Sequence, residues 1–322
     1  NEVFHCLCCV VYLARANGIR LDPGLEETVH RMALADVIWR KPDGCQFIQG
    51  DSDEVDLRDK ITMGAWLFRD PVLKYAGFDR MDFEGAWDFG RKASLEYRSL
   101  PAEKPGFTSA CLKDSGNYYL RESWEENANL LHFTCGAMST GHCHGDKLHV
   151  DLVLNGEDVL VDGGRSTYKD ILLRFELKGN MGHNTTIVDK KPFTTFTDSW
   201  DTRKLSLPVN RSFHTGKKAE FVQGGHLGYI SEGIFVNRRI IWIKPDIYLI
   251  NDQFYASGEH EYRQYFHFAP EGCVSEENGL LTFRGKKNAA FFQFLTEGVS
   301  LEEYSGIISR HYNQCEENVC VR

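Results

Sequence analysis

Residues 148–164 read LHVDLVLNGEDVLVDGG, two apolar runs facing each other across Asn155-Gly156. An Asn-Gly pair tolerates the positive φ that a type I′ turn demands, so the stretch predicts a β-hairpin. Outward from it the same grammar repeats. Short β-rich runs occur at NYYL near 118, LLHFT near 132, IIWI near 241 and IYLI near 248. Others follow at YRQYFHF near 265, LLTF near 281 and AAFFQF near 292. Turn residues separate them, the pattern of a large antiparallel β-sandwich. Toward the N-terminus the period changes. Asp22-Pro23 opens a helix, Leu25, Val29, Met32 and Ala33 recur at helical spacing, and Pro42-Asp43-Gly44 stops it. Helical runs from Leu57 to Tyr75, broken at Pro71, and from Phe83 to Tyr97 come next. SLPAEKPG at 99–106 then reads as a linker. The expected fold is α+β and multidomain, with helices in residues 1–103 and an antiparallel β-sandwich in 104–322.

Composition narrows the function. A formal charge of −9, from 37 basic and 46 acidic residues among 322, argues against a general nucleic-acid binder. An anionic substrate stays open, because a local pocket can be basic on an acidic protein. The apolar run CLCCVVYLA is too short to span a bilayer, so no membrane span is expected. Ten cysteines lack zinc-finger or disulfide-scaffold spacing and read as reduced thiols, which favours the cytoplasm. The chain opens at Asn1 without a signal peptide and reads as a fragment, which leaves a periplasmic or secreted location open. A homo-oligomer is compatible with the sequence.

The chemistry concentrates between Gly141 and Thr186. This tract holds a His-x-His pair (His142, His144), a carboxylate ending an apolar run (Asp162), and a third histidine (His183) followed by Asn184, Thr185 and Thr186. Two imidazoles and a carboxylate suit a divalent metal, and the spare histidine can move protons. In extended chain His142 and His144 face one side, about 6–7 Å apart. A two-residue loop at Asn155-Gly156 would place Asp162 opposite His149, leaving His144 about 17 Å away along a regular strand. The Cys143–Lys147 stretch must therefore leave the ladder and fold back for these groups to meet. Cys143 points away from the two histidines and is not read as a ligand. The remaining histidines, His149 and His132 included, read as structural, and GDSD at 50–53 reads as a solvated turn lacking the other ligands of a calcium loop.

Taken together, HxHxD, VDGG, R-x-x-x-K and HNT, preceded by SGNYYLR, resemble the heparinase II/III superfamily of polysaccharide lyases. PDG followed by GDSD is similar to the late toroid helices of those enzymes, so the likeness spans nearly the whole chain. It implies an incomplete α/α toroid joined to the β-sandwich, and a carbon–oxygen lyase acting on uronate-containing polysaccharides or oligosaccharides by β-elimination. Glycosaminoglycans and alginate are both within that class. Residue by residue, it implies that His142 is the proton acceptor and that His144, Asp162 and His183 hold a divalent metal, usually zinc. Arg165 and Tyr168 become candidates for sugar contact. The family's general-acid tyrosine would lie before Asn1, so these 322 residues alone would be inactive. Tyr12, within VVYLA, reads as a packed helix face rather than a substitute.

Two rival readings use the same residues. Two histidines and a carboxylate also form the facial triad of non-haem iron, so a cupin-like oxygenase or isomerase is one. A non-catalytic carbohydrate-binding sandwich with a structural metal is the other.

Overall fold

The computed structural model describes residues 2–138 and 141–322, which form two compact units. The first, residues 1–46 and 55–108, is helical. Helix α1 (Glu2–Ala16) buries Phe4, Cys8, Val11 and Ala14 while leaving Val3, Val10 and Leu13 exposed and Leu7 half-buried. Helix α2 (Pro23–Trp39) starts where the sequence says: the Asp22 carboxylate accepts from Gly24 N at 2.7 Å, and proline occupies the first helical position. The run expected from Leu57 to Tyr75 is two helices, α3 (Arg58–Phe68) and α4 (Pro71–Ala76). Arg69 turns left-handed at φ 53, and Asp70 caps α4 by accepting from Val72 N and Leu73 N. Asp82 caps α5 (Phe83–Arg98) in the same way. Tyr12 packs edge-on against Trp66 and Phe89, at 5.6 and 5.2 Å between ring centres, as the reading of VVYLA anticipated.

The second unit comprises residues 47–54 and 109–322. These compact units differ from the expected division at 103/104 in two ways. Glu103 N–H bonds Pro71 O at 2.9 Å, which keeps the linker with the helices, and the sheet begins where Arg121 N–H reaches the Ser109 hydroxyl at 2.9 Å. The GDSD loop, moreover, is packed into the β-rich unit.

Five strands form the first sheet in chain order: β1 (Ala110–Leu112), β2 (Asn117–Arg121), β3 (Leu130–Thr134), β4 (Val150–Leu154) and β5 (Glu157–Leu160). Every residue of β2 and β3 is buried, so this sheet is covered on both faces. A second, four-stranded antiparallel sheet runs Pro208–His214, Ala219–His226, Phe235–Ile243 and Ile247–Tyr255. One core joins the two: Tyr118, Leu131, Phe133 and Leu152 with Val222, Val236, Ile240 and Trp242. Sheet-on-sheet packing of this kind is a β-sandwich. Leu280–Arg284 and its neighbours extend the core through Phe268 and Phe283, whose rings stack at 5.8 Å.

The Asn155-Gly156 hairpin forms as expected, with φ of 51 and 76. Its register does not persist. Leu154 pairs with Glu157 and Val153 with Asp158, but Leu152 pairs with Leu160, so a bulge adds one residue to β5. Asp162 then leaves the ladder altogether, with Val161 N–H turned to His267 O at 3.0 Å. Buried across the second sheet, Arg238 grips Asp252 with two bonds of 2.6 and 2.7 Å. Its remaining nitrogen donates to Leu148 O and Asn184 O, both at 2.7 Å.

Candidate metal and proton-transfer site

The segment before β4 does fold back. Gly145 N–H bonds Lys178 O at 2.9 Å, Asn180 donates to Gly145 O at 2.8 Å, and Leu148 takes the rare φ of 65. The strand spacing first assigned to His142 and His144 is thus replaced by an irregular turn. Both rings nevertheless converge, on a residue whose sequence context suggested only a solvated turn. Asp51 is buried, not solvated. Its Oδ1 meets His144 Nε2 at 2.8 Å and its Oδ2 meets His142 Nδ1 at 3.0 Å. Arg174, fully buried on α6 (Leu172–Lys178), completes the hub with bonds of 2.5 and 3.0 Å to the two oxygens. Burial works against ionising Asp51, but His144 and Arg174 outweigh it and hold its pKa well below the usual carboxylate range.

The 47–54 loop is shaped for this. Asp51 N–H bonds His142 O at 3.1 Å, and Gly50, at φ 56, approaches so closely that a Cβ there would sit 2.5 Å from that carbonyl. Arg165 supports the loop from the other side, donating to Asp51 O at 2.8 Å and pairing with Asp53 at 2.8 Å. Its side chain is 12% exposed, so it is foremost a brace for Asp51.

His144, Asp162 and His183 come together: one ligand atom from each lies within 4.8 Å of the others, and all three are buried. His183 Nδ1 bonds Asp162 Oδ2 at 2.7 Å, while Asp162 Oδ1 accepts from Gly164 N at 2.8 Å. Two nitrogens are left over. His144 Nδ1 and His183 Nε2 are buried without a hydrogen-bond partner. Each of these rings gives its other nitrogen to a carboxylate, the arrangement that orients an imidazole for a metal. Orphaned buried polar atoms are costly in a finished core, so the donor set fits a cation.

The charge balance agrees. His149, read as structural, stands 3.0 Å from Asp151 and 3.6 Å from Asp162. Asp151 also receives His132 at 2.8 Å. Among the described residues, the ion-pair partners of Asp151 and Asp162 are imidazoles alone, so two buried carboxylates lack a permanent positive charge. Burial resists protonation of His149, yet these two carboxylates push its pKa up to about 9. Asn184 N–H meanwhile donates to His149 Nδ1 at 2.9 Å, which suits a neutral ring. A divalent cation beside Asp162 would remove the demand for protonation and leave the neutral ring that this hydrogen bond requires.

Outside this buried cluster lies an open face. The His142 side chain is 57% exposed and sits edge-on to Trp200 and Tyr168, at 5.2 and 5.9 Å. Trp200 and Tyr168 stack at 4.8 Å, and Arg165 lies between Tyr168 and Tyr312 at 4.9 and 5.1 Å from their ring centres. Of the residues read from sequence, His144, Asp162 and His183 share one buried cluster, His142 stands beside it through Asp51, and Tyr168 belongs to the open face. Asp51, Arg174 and Trp200 were missed. The R-x-x-x-K spacing held a signal: Arg174 and Lys178 are one turn apart on α6, and Lys178 donates to Gly141 O and Ser199 O. Burial, then Arg174, pulls the pKa of Lys178 down to about 8.

Residues 104–321 match the family described as heparinase II/III-like, C-terminal. The chain is similar in structure to a heparinase III, with a TM-score of 0.82 at 16% identity over 99% of this chain and 47% of that one. A heparan sulfate lyase mutant from Pedobacter heparinus gives a TM-score of 0.81 at 17% identity, covering 99% of this chain and 48% of its own. A further heparinase III structure gives 0.77 at 16% identity, over 99% and 50%. The chain thus spans about half the length of these solved structures. No curated protein sequence matches it.

Proposed function

This chain belongs to the heparinase II/III-like family, and from that premise we propose that it supplies the proton acceptor and a metal site of a polysaccharide lyase. The observation that carries this reading is the Asp51 hub. An ionised carboxylate only accepts, so Asp51 fixes the hydrogen of His142 on Nδ1 and makes Nε2 the basic nitrogen. That nitrogen belongs to an exposed ring flanked by aromatic faces, which suit the C–H faces of a sugar.

In β-elimination, His142 takes the proton from C5 of a uronate. The electron pair forms the C4=C5 double bond, the C4–O bond breaks, and the leaving oxygen takes up a proton. Asp51 stabilises the imidazolium that forms, and Arg174 keeps Asp51 ionised and oriented. His144, Asp162 and His183 would hold a divalent cation, with zinc matching the nitrogen-rich donor set. Such an ion would supply positive charge to this buried cluster and would tie three segments of the chain together. Tyr168 and Trp200 would contact sugar rings, with Arg165 bracing the loop beneath them.

The proposed substrate is a uronate-containing glycosaminoglycan, with heparan sulfate first because one of the similar structures is a heparan sulfate lyase. The test incubates the protein that carries this chain with heparan sulfate, hyaluronan and alginate, and follows the ultraviolet absorbance of the unsaturated uronate. Absence of that product on all three would overturn the lyase reading.

A further inference from the structure

A second group of metal-type ligands lies in the helical unit. His5 and Cys9 stand four residues apart on α1, so one turn places both on the same face. Asp88, on α5, meets them there. His5 Nε2 is 2.6 Å from Asp88 Oδ2, Cys9 Sγ is 3.9 Å from the same oxygen, and the three ligand atoms lie within 4.8 Å of one another. All three residues are half-buried. One turn earlier on α5, Glu84 Oε1 stands 3.7 Å from His5 Nδ1. That separation is an ion-pair distance rather than a hydrogen bond, and the other oxygen of Glu84 accepts from Lys60 at 2.6 Å.

We propose that His5, Cys9 and Asp88 form a site for a zinc-class divalent ion that clips α1 to α5. The chemistry of the set is what selects the ion. A thiolate and an imidazole are soft to borderline donors that disfavour magnesium and calcium, and three protein ligands leave one tetrahedral position for water. As a plain contact the trio leaves Cys9 with little, because a thiol at 3.9 Å from a carboxylate is a weak donor, while His5 and Asp88 already pair at 2.6 Å. As a metal site each of the three has a use: Cys9 releases its proton to solvent and binds as thiolate, His5 binds through its imidazole, and Asp88 closes the set from the second helix. This inference does not depend on the lyase reading.

Cobalt(II) tests it with a spectroscopic marker. Titrating the full chain should raise a thiolate-to-cobalt charge-transfer band in the near ultraviolet. The His144–Asp162–His183 cluster contains no sulfur and cannot produce that band. Cys9→Ser should abolish it, whereas Cys6→Ser, altering an exposed thiol on the same helix, and His144→Ala should leave it intact. His5→Gln and Asp88→Asn should each weaken the cobalt affinity read from the band by more than about tenfold. Far-ultraviolet circular dichroism checks that α1 remains helical in each variant. No band in the parent chain, or a full band in Cys9→Ser, would overturn the proposal. If Cys9→Ser lost its helical signal, an undiminished band in His5→Gln and Asp88→Asn would do the same.

Discussion

The β-rich unit contains two buried charged clusters that differ in how completely they are satisfied. Around Arg238 and Asp252, the guanidinium is bonded to both carboxylate oxygens, to Leu148 O, to Asn184 O and to the Thr186 hydroxyl, while Gln264 also donates to Asp252. Around Asp51 and Asp162, carboxylates are equally well served, but His144 Nδ1 and His183 Nε2 end with nothing. A closed network fixes how sheets pack; an open one of similar burial waits for something from outside. The contrast supports the proposal that the second cluster holds an ion.

The strongest way to break that contrast is at His142. If His142 is the proposed proton acceptor, its replacement by alanine should lower turnover of the best uronate substrate by roughly two to four orders of magnitude, the usual scale for a positioned acid–base group. Metal content in His142→Ala should stay at the parent level, whereas His144→Ala should lose this cluster's ion and activity together. Loss of metal with full turnover in His142→Ala would reverse the roles of the two histidines. At the closed cluster, Asp252→Ala strands a buried guanidinium and should cost about 3–5 kcal/mol in urea unfolding, with no change in metal content. Chelation should discriminate next. Removing the ion at a free concentration about a hundred times its Kd forfeits about 2.7 kcal/mol, read as a lower melting temperature. In His183→Ala the chelator should lower the melting temperature by less than in the parent, the difference being the share of this cluster's ion.

Another buried carboxyl sharpens the rule. Asp36, on α2, leaves Oδ2 without a hydrogen bond, and burial pushes its pKa up to about 7. Asp51, Asp162 and Asp252 go the other way, held low by their partners against the effect of burial. The signs are opposite in consequence. Asp36 binds its proton more tightly folded than unfolded, so stability falls as pH rises from about 4 to about 7 and is flat beyond. Asp252 contributes stability above its unfolded pKa and loses it as pH falls toward its depressed folded value. Asp36→Asn should therefore raise the melting temperature at about pH 8 and leave it nearly unchanged at about pH 4. Equal shifts at both values would show that Asp36 is not titrating.

What the sequence disclosed follows the range of the interactions. Asp22-Pro23 and Asn155-Gly156 act within a few residues, and both the helix start and the hairpin appear where they should. The bulge after Asp158 could not be read, because it depends on Leu160 and Val161 turning to Phe268 and His267, far downstream in the chain. Strands Pro208–His214 and Gln314–Val321 escaped notice for another reason. Both expose polar residues along much of their length, as in the run Glu316-Glu317, and so lack an apolar signature. At the site, His144, Asp162 and His183 were legible by ligand type alone. Asp51 was not, since its partners His142, His144 and Arg174 lie 91, 93 and 123 residues away. A carboxylate in a Gly-Asp-Ser-Asp turn looks solvated until the chain that covers it is known.

The β-rich unit is therefore not a continuous piece of the chain, and this limits how the protein can be cut, swapped or shuffled. Residues 47–54 are threaded in from between helical segments. A cut at the 99–106 linker looks like a clean domain boundary, yet the downstream product would retain His142, His144 and Arg174 without Asp51. Arg174 would then be a buried cation with no counter-charge, and the His142 ring would lose what fixes its tautomer. Excision, domain grafting or circular permutation at that linker would yield a sandwich with its sheets intact and its hub removed. Recombination between relatives must carry the small loop and the large sandwich together.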